Sequence, residues 1–422
     1  MKLSNSKTAW ALLALSTFGP GCANSTDEGG GKDAAAGTSG GAASAGGSTA
    51  NGGGVTTSGG GSGSSNSTAG SSSAGAGGEP NGSGGAPAHE VGTCAGLGEV
   101  GVWEQISPPG GISADFALDP AHAGTLYVGA GEGGFGVHKT TDCGATWTHV
   151  STGENSDKLE QGSSTTFKID PIDGALYTNS LYGANGVYRS TNGGVDWQIV
   201  TPTGQGMPDF VGHIDMDPED PKHLFALFHT VCAGVNGEFS YEDQVGCFGE
   251  TTDAGATWKA HYRTPKFQPE VMVFLLHGKT WIAASDGLQR TTDGGETWTK
   301  VSDSMAGGHS TRPPYHAADG SYYAGTGSGV LLSPGDSDGS SWSLIGDKGF
   351  LLGATGSGKD IYISGHDGVW TSAEDDGESW TLMPGSPTHS DGCSADPRTF
   401  DNDHHLLYVS CHTGGFWRMR TE

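Results

Sequence analysis

One short phrase, repeated along the chain, limits the fold more than any other feature. It reads KTTDCGATWTHV (139–150), RSTNGGVDWQIV (189–200), ETTDAGATWKAH (250–261) and RTTDGGETWTKV (290–301). Each copy places a hydroxyl residue, an Asp or Asn and a Gly at fixed distances before a Trp. The arrangement predicts a β-hairpin. The hydroxyl residue ends one strand, the carboxylate or amide bonds backbone N–H groups within the turn, and Gly takes the positive φ that other residues resist. Trp then opens the next strand as a large apolar anchor. Two looser copies follow, SPGDSDGSSWSLI (333–345) and TSAEDDGESWTLM (371–383). Ser337 stands where Asp is expected in the first of these, and Ala373 where the hydroxyl is expected in the second. Asn192 replaces Asp in the 189–200 copy, but an amide oxygen makes the same turn bonds.

The tryptophans of the clean copies recur 40 to 61 residues apart. That period marks stacked units, none of which buries its apolar face alone. Two half-units at the ends set the number. Gly101–Ser107 (GVWEQIS) matches the strand that follows each turn, with Trp103 in the Trp register, but no turn precedes it. Gly414–Arg420 (GGFWRMR) matches the strand that precedes each turn, as in GVYRS and GLQRT, but no turn follows it. The halves complete one another, so Trp103, Trp147, Trp197, Trp258, Trp298, Trp342 and Trp380 mark seven outer strands. Closure in this way leaves no sheet edge open.

The repeats resemble the Asp-box (BNR) motif, S/T-x-D-x-G-x-x-W, of the β-propellers of sialidases, xyloglucanases, sortilin-like receptors and photosystem assembly factors. The resemblance covers nearly all of the folded region. It implies an all-β, seven-bladed propeller of four-stranded blades, closed by the N-terminal strand pairing into the last blade. It implies little about function, because the motif sits at the blade periphery, away from the sites of these families.

Residues 23–90 are almost wholly Gly, Ser, Ala, Thr and Asn. Such a segment buries too little apolar surface to offset chain entropy, and it reads as a disordered tether spanning roughly 45 Å. Before it, Lys2 and Lys7 precede the apolar run from Trp10 to Leu15, and GPGC ends in Cys22. This resembles the lipobox of a bacterial lipoprotein signal peptide, although Gly19 stands where Leu is usual. The expected organisation is a signal peptide over 1–22, a tether over 23–90 and the propeller over 91–422. The expected location is the outer membrane or cell surface, with a lipid on Cys22 as anchor, or free secretion if Cys22 carries none.

Setting Cys22 aside leaves six of the seven cysteines, an even number suited to disulfides in an oxidising compartment. Read against the strand order, the expected pairs are Cys94 with Cys143, Cys232 with Cys247, and Cys393 with Cys411. No Cys/His spacing resembles a zinc site, so no metal is expected, and nothing points to a particular cofactor. The net charge of −27 argues against nucleic acid and anionic membrane surfaces as partners. A monomer is expected.

In a propeller the repeated turns and the turns between the first two strands share one face. The remaining loops surround the channel mouth on the other, where ligands bind. His213, His316 and His389 are expected near the starts of innermost strands, and His229, His366 and His412 at the ends of second strands. All six then map to the mouth. Arg312, Tyr315, Asp391 and Tyr241 are expected close by. Such a funnel offers His and Tyr as base and acid near neutral pH, with Arg holding a carboxylate or hydroxyl.

Sialidases begin with a Phe/Tyr-Arg-Ile-Pro motif and use an Arg triad. This chain has no such motif, which argues against sialidase activity. Xyloglucanases of the Asp-box class use an Asp pair between two propellers. Here there is one propeller, with Glu132 where such enzymes carry an acidic residue before Gly-Gly, and Asp209, Asp367 and Asp391 as further acids. A polysaccharide lyase using His and Tyr suits the mouth better than hydrolysis does, but the acidic net charge stands against it. The contrasting class is a non-catalytic surface propeller binding glycan or protein, and fold alone does not separate the two. The expected ligand is a polysaccharide or other glycan.

Overall fold

The computed structural model describes residues 88–109, 113–130, 136–232, 246–262, 267, 270–306, 312–326, 329–345, 350–365, 367–388, 396–411 and 414–422. Over these residues the chain forms seven antiparallel sheets arranged as blades of a β-propeller. Each blade runs outward through strands A, B, C and D. In blade 1 these are Ser113–Leu118, Leu126–Ala130, Val137–Thr140 and Thr148–His149. The innermost strands of blades 2 to 7 are Phe167–Ile169, Val211–Met216, Met272–His277, Tyr315–His316, Phe350–Gly356 and Asp396–Asp401. In blade 4 one segment, Thr280–Thr291, supplies both middle strands. Its first half pairs with strand A and its second half with Thr299–Ala306. The amide of Gly294 then returns to the carbonyl of Lys279, at 3.2 Å.

The repeated turn explains why neighbouring blades stack. Thr140 Oγ1 donates to Asp142 Oδ1 at 2.7 Å and accepts the Gly144 amide at 3.0 Å. Thr146 then donates its amide and hydroxyl to the same carboxylate at 2.9 and 2.6 Å. The turns at Asp253 and Asp293 repeat these bonds, and Asn192 reproduces the backbone part of them. The turn glycine is required twice over. Gly144 and Gly255 sit at φ +95° and +90°. A Cβ there would also collide with Ile106 and Val200, at 2.4 and 2.9 Å. Those aliphatic residues stand three positions after Trp103 and Trp197, so each unit ends in the knob that the next unit's turn receives. The two loose copies diverge as their sequences imply. The 333–345 copy passes through a short 3-10 turn, Gly335–Ser337, and the 371–383 copy keeps only an Asp376 bond to the Ser379 amide. In both, the Trp indole donates to a turn glycine carbonyl, as it does for Trp197 and Trp298.

Blade 7 closes the ring as expected. Trp103–Gln105 pairs with Gly415–Arg420, which pairs with Leu406–Cys411 and through it with Asp396–Asp401. The closure is tied at several points. Glu90–Val91 lies parallel to His122–Ala123 of blade 1. The Cys94–Cys143 disulfide joins the entering segment to the first repeated turn. Arg418, buried at 2% exposure, donates to Glu104 and to the carbonyls of Cys143 and Gly96, at 3.0, 2.8 and 2.7 Å. The Cys232–Cys247 disulfide also forms. Cys411 is disulfide-bonded, while Cys393 and Cys22 lie outside the described residues.

Candidate functional site at the channel and its rim

The innermost strands face one another across the axis, and their polar side chains bond from blade to blade. Asp115 accepts the amide of Phe116 and, across the interface, that of Phe167, both at 2.8 Å. Thr166 Oγ1 lies 2.8 Å from Nδ1 of His213. Asp215 accepts from Lys168 at 3.0 Å and from the Leu275 amide at 2.8 Å. These bonds satisfy groups that burial would otherwise penalise. They also occupy the carboxylates, so Asp115 and Asp215 act as braces. Between the strands lies a cavity of about 390 Å³, lined by Thr166, Lys168, His213, Arg312 and Thr399 among others. It extends to Pro120, Pro171 and Pro218 at the A-to-B turns. A cavity of that size holds one small ligand or part of a polymer.

A second group forms on the mouth rim, where loops of blades 2, 3 and 4 meet. Tyr182 follows strand B of blade 2, and the residue is 64% exposed. Its hydroxyl lies 3.1 Å from Nε2 of His229, the residue after strand B of blade 3. Nδ1 of His229 lies 2.7 Å from Oε1 of Glu270, just before strand A of blade 4. Phe210 steadies the pair, stacking on His229 at 5.3 Å and meeting Tyr182 edge-on at 5.3 Å. Tyr182 and Glu270 both adopt φ +59°, in the left-handed region. Such a conformation costs roughly 1–2 kcal/mol for a residue with a side chain, and it concentrates at sites that need it. The rim adjoins the channel, since a Cβ on Gly212 would lie 3.2 Å from His229 Cβ and His213 is the next residue.

The sequence expectations divide accordingly. His213 and Arg312 line the axial cavity, and His229 reaches the rim. His316 and Tyr315 do not join them. Strand A of blade 5 has only two residues, and both pair next to the A-to-B turn, far along the strand from its mouth end. The cause is Pro313-Pro314, which offers no N–H groups for a ladder, so pairing begins only at Tyr315. His316 lies flat on Tyr322 at 4.5 Å. Tyr315 donates to Glu374 in the blade 6 turn at 2.6 Å, and burial together with that carboxylate pushes its phenol well above the usual range. His366, His389, His412, Asp391, Tyr241 and Glu132 lie outside the described residues. Tyr182, Phe210 and Glu270 escaped sequence reasoning. Leu181-Tyr182-Gly183 reads as an ordinary loop, and only the observed backbone marks it.

The turn side carries a histidine chain of its own. His223 lies 3.2 Å from Asp217 and 3.1 Å from Glu250, and His261 lies 2.6 Å from the other Glu250 oxygen. Burial opposes charge here, but these bonds hold the His223 imidazole above its ordinary value and the Glu250 carboxyl down at about 2. With a carboxylate at each nitrogen, His223 ties Asp217 to Glu250. Among the described residues, Cys94, Cys143 and His404 have metal-ligand spacing, but the two sulfurs are bonded to each other.

The fold is a β-propeller, and known proteins share that architecture. No family model matches the chain. A xyloglucanase of Hypocrea jecorina is 27% identical over 230 residues, which is 46% of this chain and 26% of that protein. The chain thus spans about a quarter of that relative's length. Among solved structures, YCF48 from Cyanidioschyzon merolae superposes with a TM-score of 0.50 at 16% identity, covering 75% of this chain and 98% of its own. YCF48 bound to D1 peptide gives a TM-score of 0.51 at 14% identity, covering 78% and 100%. At these identities the structural likeness speaks for the fold.

Proposed function

We propose that this protein is an exported, lipid-anchored propeller that handles extracellular carbohydrate at its channel mouth. The observation that carries the reading is the rim beside the cavity. An exposed Tyr182 ring, held by Phe210 and His229, offers a flat face for a pyranose ring, and His213 and Arg312 offer polar contacts one layer deeper. The xyloglucanase relative supports a carbohydrate ligand. The Cys94–Cys143 and Cys232–Cys247 disulfides support an oxidising compartment. We take the repeated turn as an Asp box and Cys22 as the lipidated residue.

The test is calorimetric titration of the full chain with a panel of polysaccharides that includes xyloglucan. Tyr182→Ala should weaken binding about tenfold or more, equivalent to about 1.4 kcal/mol. A panel with no binder, beside an intact fold, rejects the carbohydrate reading. A peptide ligand is the second reading, favoured by the peptide-bound propeller that matches along its full length, and a peptide array on the same sample decides for it. Cys22→Ser should release the protein from the membrane fraction, and unchanged partitioning would rule out the anchor.

A further inference from the structure

Blade 1 departs from its six neighbours at one pair of positions. In every blade, the second residue after the outer-strand Trp pairs from strand D across to strand C. The pair is Tyr188–Ile199 in blade 2, Leu331–Leu344 in blade 5 and Trp370–Leu382 in blade 6, and in none of blades 2 to 7 is either residue a histidine. In blade 1 both are, as His138 and His149. The whole repeated turn separates the two in the chain, so no linear spacing announces them.

Cross-strand partners share a face of the sheet. The two imidazole rings lie 5.1 Å apart, centroid to centroid, with their planes inclined by 43°. Two imidazoles on one tetrahedral ion, each at a Zn–N distance of about 2.0–2.1 Å, have centroids about 5 Å apart. His138 is 8% exposed, and among the described residues neither of its ring nitrogens has a hydrogen-bond partner. That is a cost the apolar pairs of blades 2, 5 and 6 do not carry, and a ligand on the ring would remove it. His149 is held through one nitrogen. Its Nε2 lies 3.0 Å from Ser151 Oγ, which also accepts the Val137 amide at 2.9 Å. A ring steadied in this way offers its other nitrogen, as metal-bound histidines do. Oε1 of Glu160 comes within 3.1 Å of the same Nε2 and sets a negative charge beside the pair. The side chains of His149 and Glu160 are 38% and 41% exposed, so an ion can enter from solvent and water can fill its remaining positions.

We propose that His138 and His149 bind a divalent transition-metal ion of the zinc or copper kind, with Glu160 as the neighbouring carboxylate. Imidazole selects such ions over Ca²⁺ and Mg²⁺, which seek oxygen. The site lies at the end of strands C and D of blade 1 away from the repeated turn. It is separate from the rim of blades 2 to 4, and it stands whether or not that rim takes a glycan. Glu160 follows the short helix Ser156–Leu159 in the segment that leads to blade 2, so a bound ion fastens that segment to blade 1.

The experiment is calorimetric titration of the full chain with ZnCl₂, beside the double variant His138→Tyr/His149→Ile, which installs the pair found in blade 2. The parent should bind one more Zn²⁺ than the variant. Its melting temperature should rise with Zn²⁺ and stay unchanged with the same concentration of Ca²⁺ or Mg²⁺. The double variant should keep the parent far-UV circular dichroism and lose that rise. His149→Ala and Glu160→Gln should each weaken the site about tenfold or more. Both changes fall on exposed side chains, so they keep the test open if the double variant fails to fold. A parent that binds no Zn²⁺ overturns the proposal. Equal stoichiometry and equal stabilisation in the parent and the variants overturn it as well, by assigning the binding to other histidines. A Ca²⁺ response as large as the Zn²⁺ response overturns the imidazole ligands.

Discussion

The two faces of the ring are built on different physics. On the turn face, each repeat satisfies itself within about eight residues. A hydroxyl, a carboxylate, a positive-φ glycine and a Trp close a turn from local bonds, and the next blade only has to dock on the aliphatic knob left behind. On the mouth face nothing is local. Tyr182, Phe210, His229 and Glu270 come from loops of three consecutive blades, and they meet only once those blades have stacked. The turn face thus holds the propeller together, and the mouth face depends on it. Substitutions on the first should cost stability, and substitutions on the second should cost function.

The largest effect should come from opening the ring. Deleting residues 88–107 removes the outer strand of blade 7, the Glu90–Val91 pairing and, with Glu104, the only carboxylate bonded to Arg418 among the described residues. Buried Arg418 is left with an unmatched charge, and blade 7 with a bare edge. Cooperative unfolding should disappear. A truncated chain that still melts sharply at the parent temperature would mean that closure does not lie on the turn-side ties.

Next in size is the Cys94–Cys143 link, which spans 49 residues. Loop-closure entropy assigns it about 4 kcal/mol, with strain and residual structure able to reduce that figure. The double variant Cys94→Ala/Cys143→Ala should therefore show a much lower denaturant midpoint with the same fold by far-UV circular dichroism. An unchanged midpoint would shift the burden of closure to Arg418 and the strand pairing.

A smaller effect separates the faces by pH. Hydrogen bonds from the Thr257 hydroxyl and amide and from Thr251 hold the Asp253 carboxyl at about 2, and Thr297 and Thr291 do the same for Asp293. The folded value lies below the unfolded one, so the unfolded chain binds protons first as pH falls. The stability these groups contribute is complete above about pH 4 and is lost as pH falls toward 2. Asp253→Asn should flatten the acid limb of the melting-temperature profile. A profile unchanged between pH 4 and 2 would show that the turn carboxylates are bonded as strongly in the unfolded chain.

This contrast also explains what could be read in advance. The blade number and the closing strand were legible because Trp103 and Gly414–Arg420 are halves of a local phrase, and locality survives in a linear sequence. His213, His229 and Arg312 could be placed near the mouth by counting along strands. His316 and Tyr315 could not, because Pro313-Pro314 delays the start of the blade 5 inner strand and carries both residues to the turn side. The partners of His229 were out of reach of any spacing rule. Tyr182 and Glu270 lie 47 residues before and 41 residues after it, and they are chosen by ring geometry. His261, by contrast, meets Glu250 within one hairpin, eleven residues along the chain.

The smallest expected stability change is the one that separates the faces most cleanly. Tyr182 is 64% exposed and sits at φ +59°, so replacing it by Gly removes little buried surface and relieves the left-handed strain. That relief is roughly 1 kcal/mol, and the added freedom of Gly in the unfolded chain costs roughly 0.5–1 kcal/mol. The two nearly cancel, leaving a net change within about 0.5 kcal/mol. If the rim exists for a ligand, Tyr182→Gly should melt with the parent and lose glycan binding. A turn-face substitution such as Trp147→Gly should do the reverse, destabilising by about 3–5 kcal/mol while any protein that remains folded still binds. Should Tyr182→Gly prove strongly destabilising with binding intact, the aromatic group on the rim would be a structural brace, and the division of labour between the two faces would not hold.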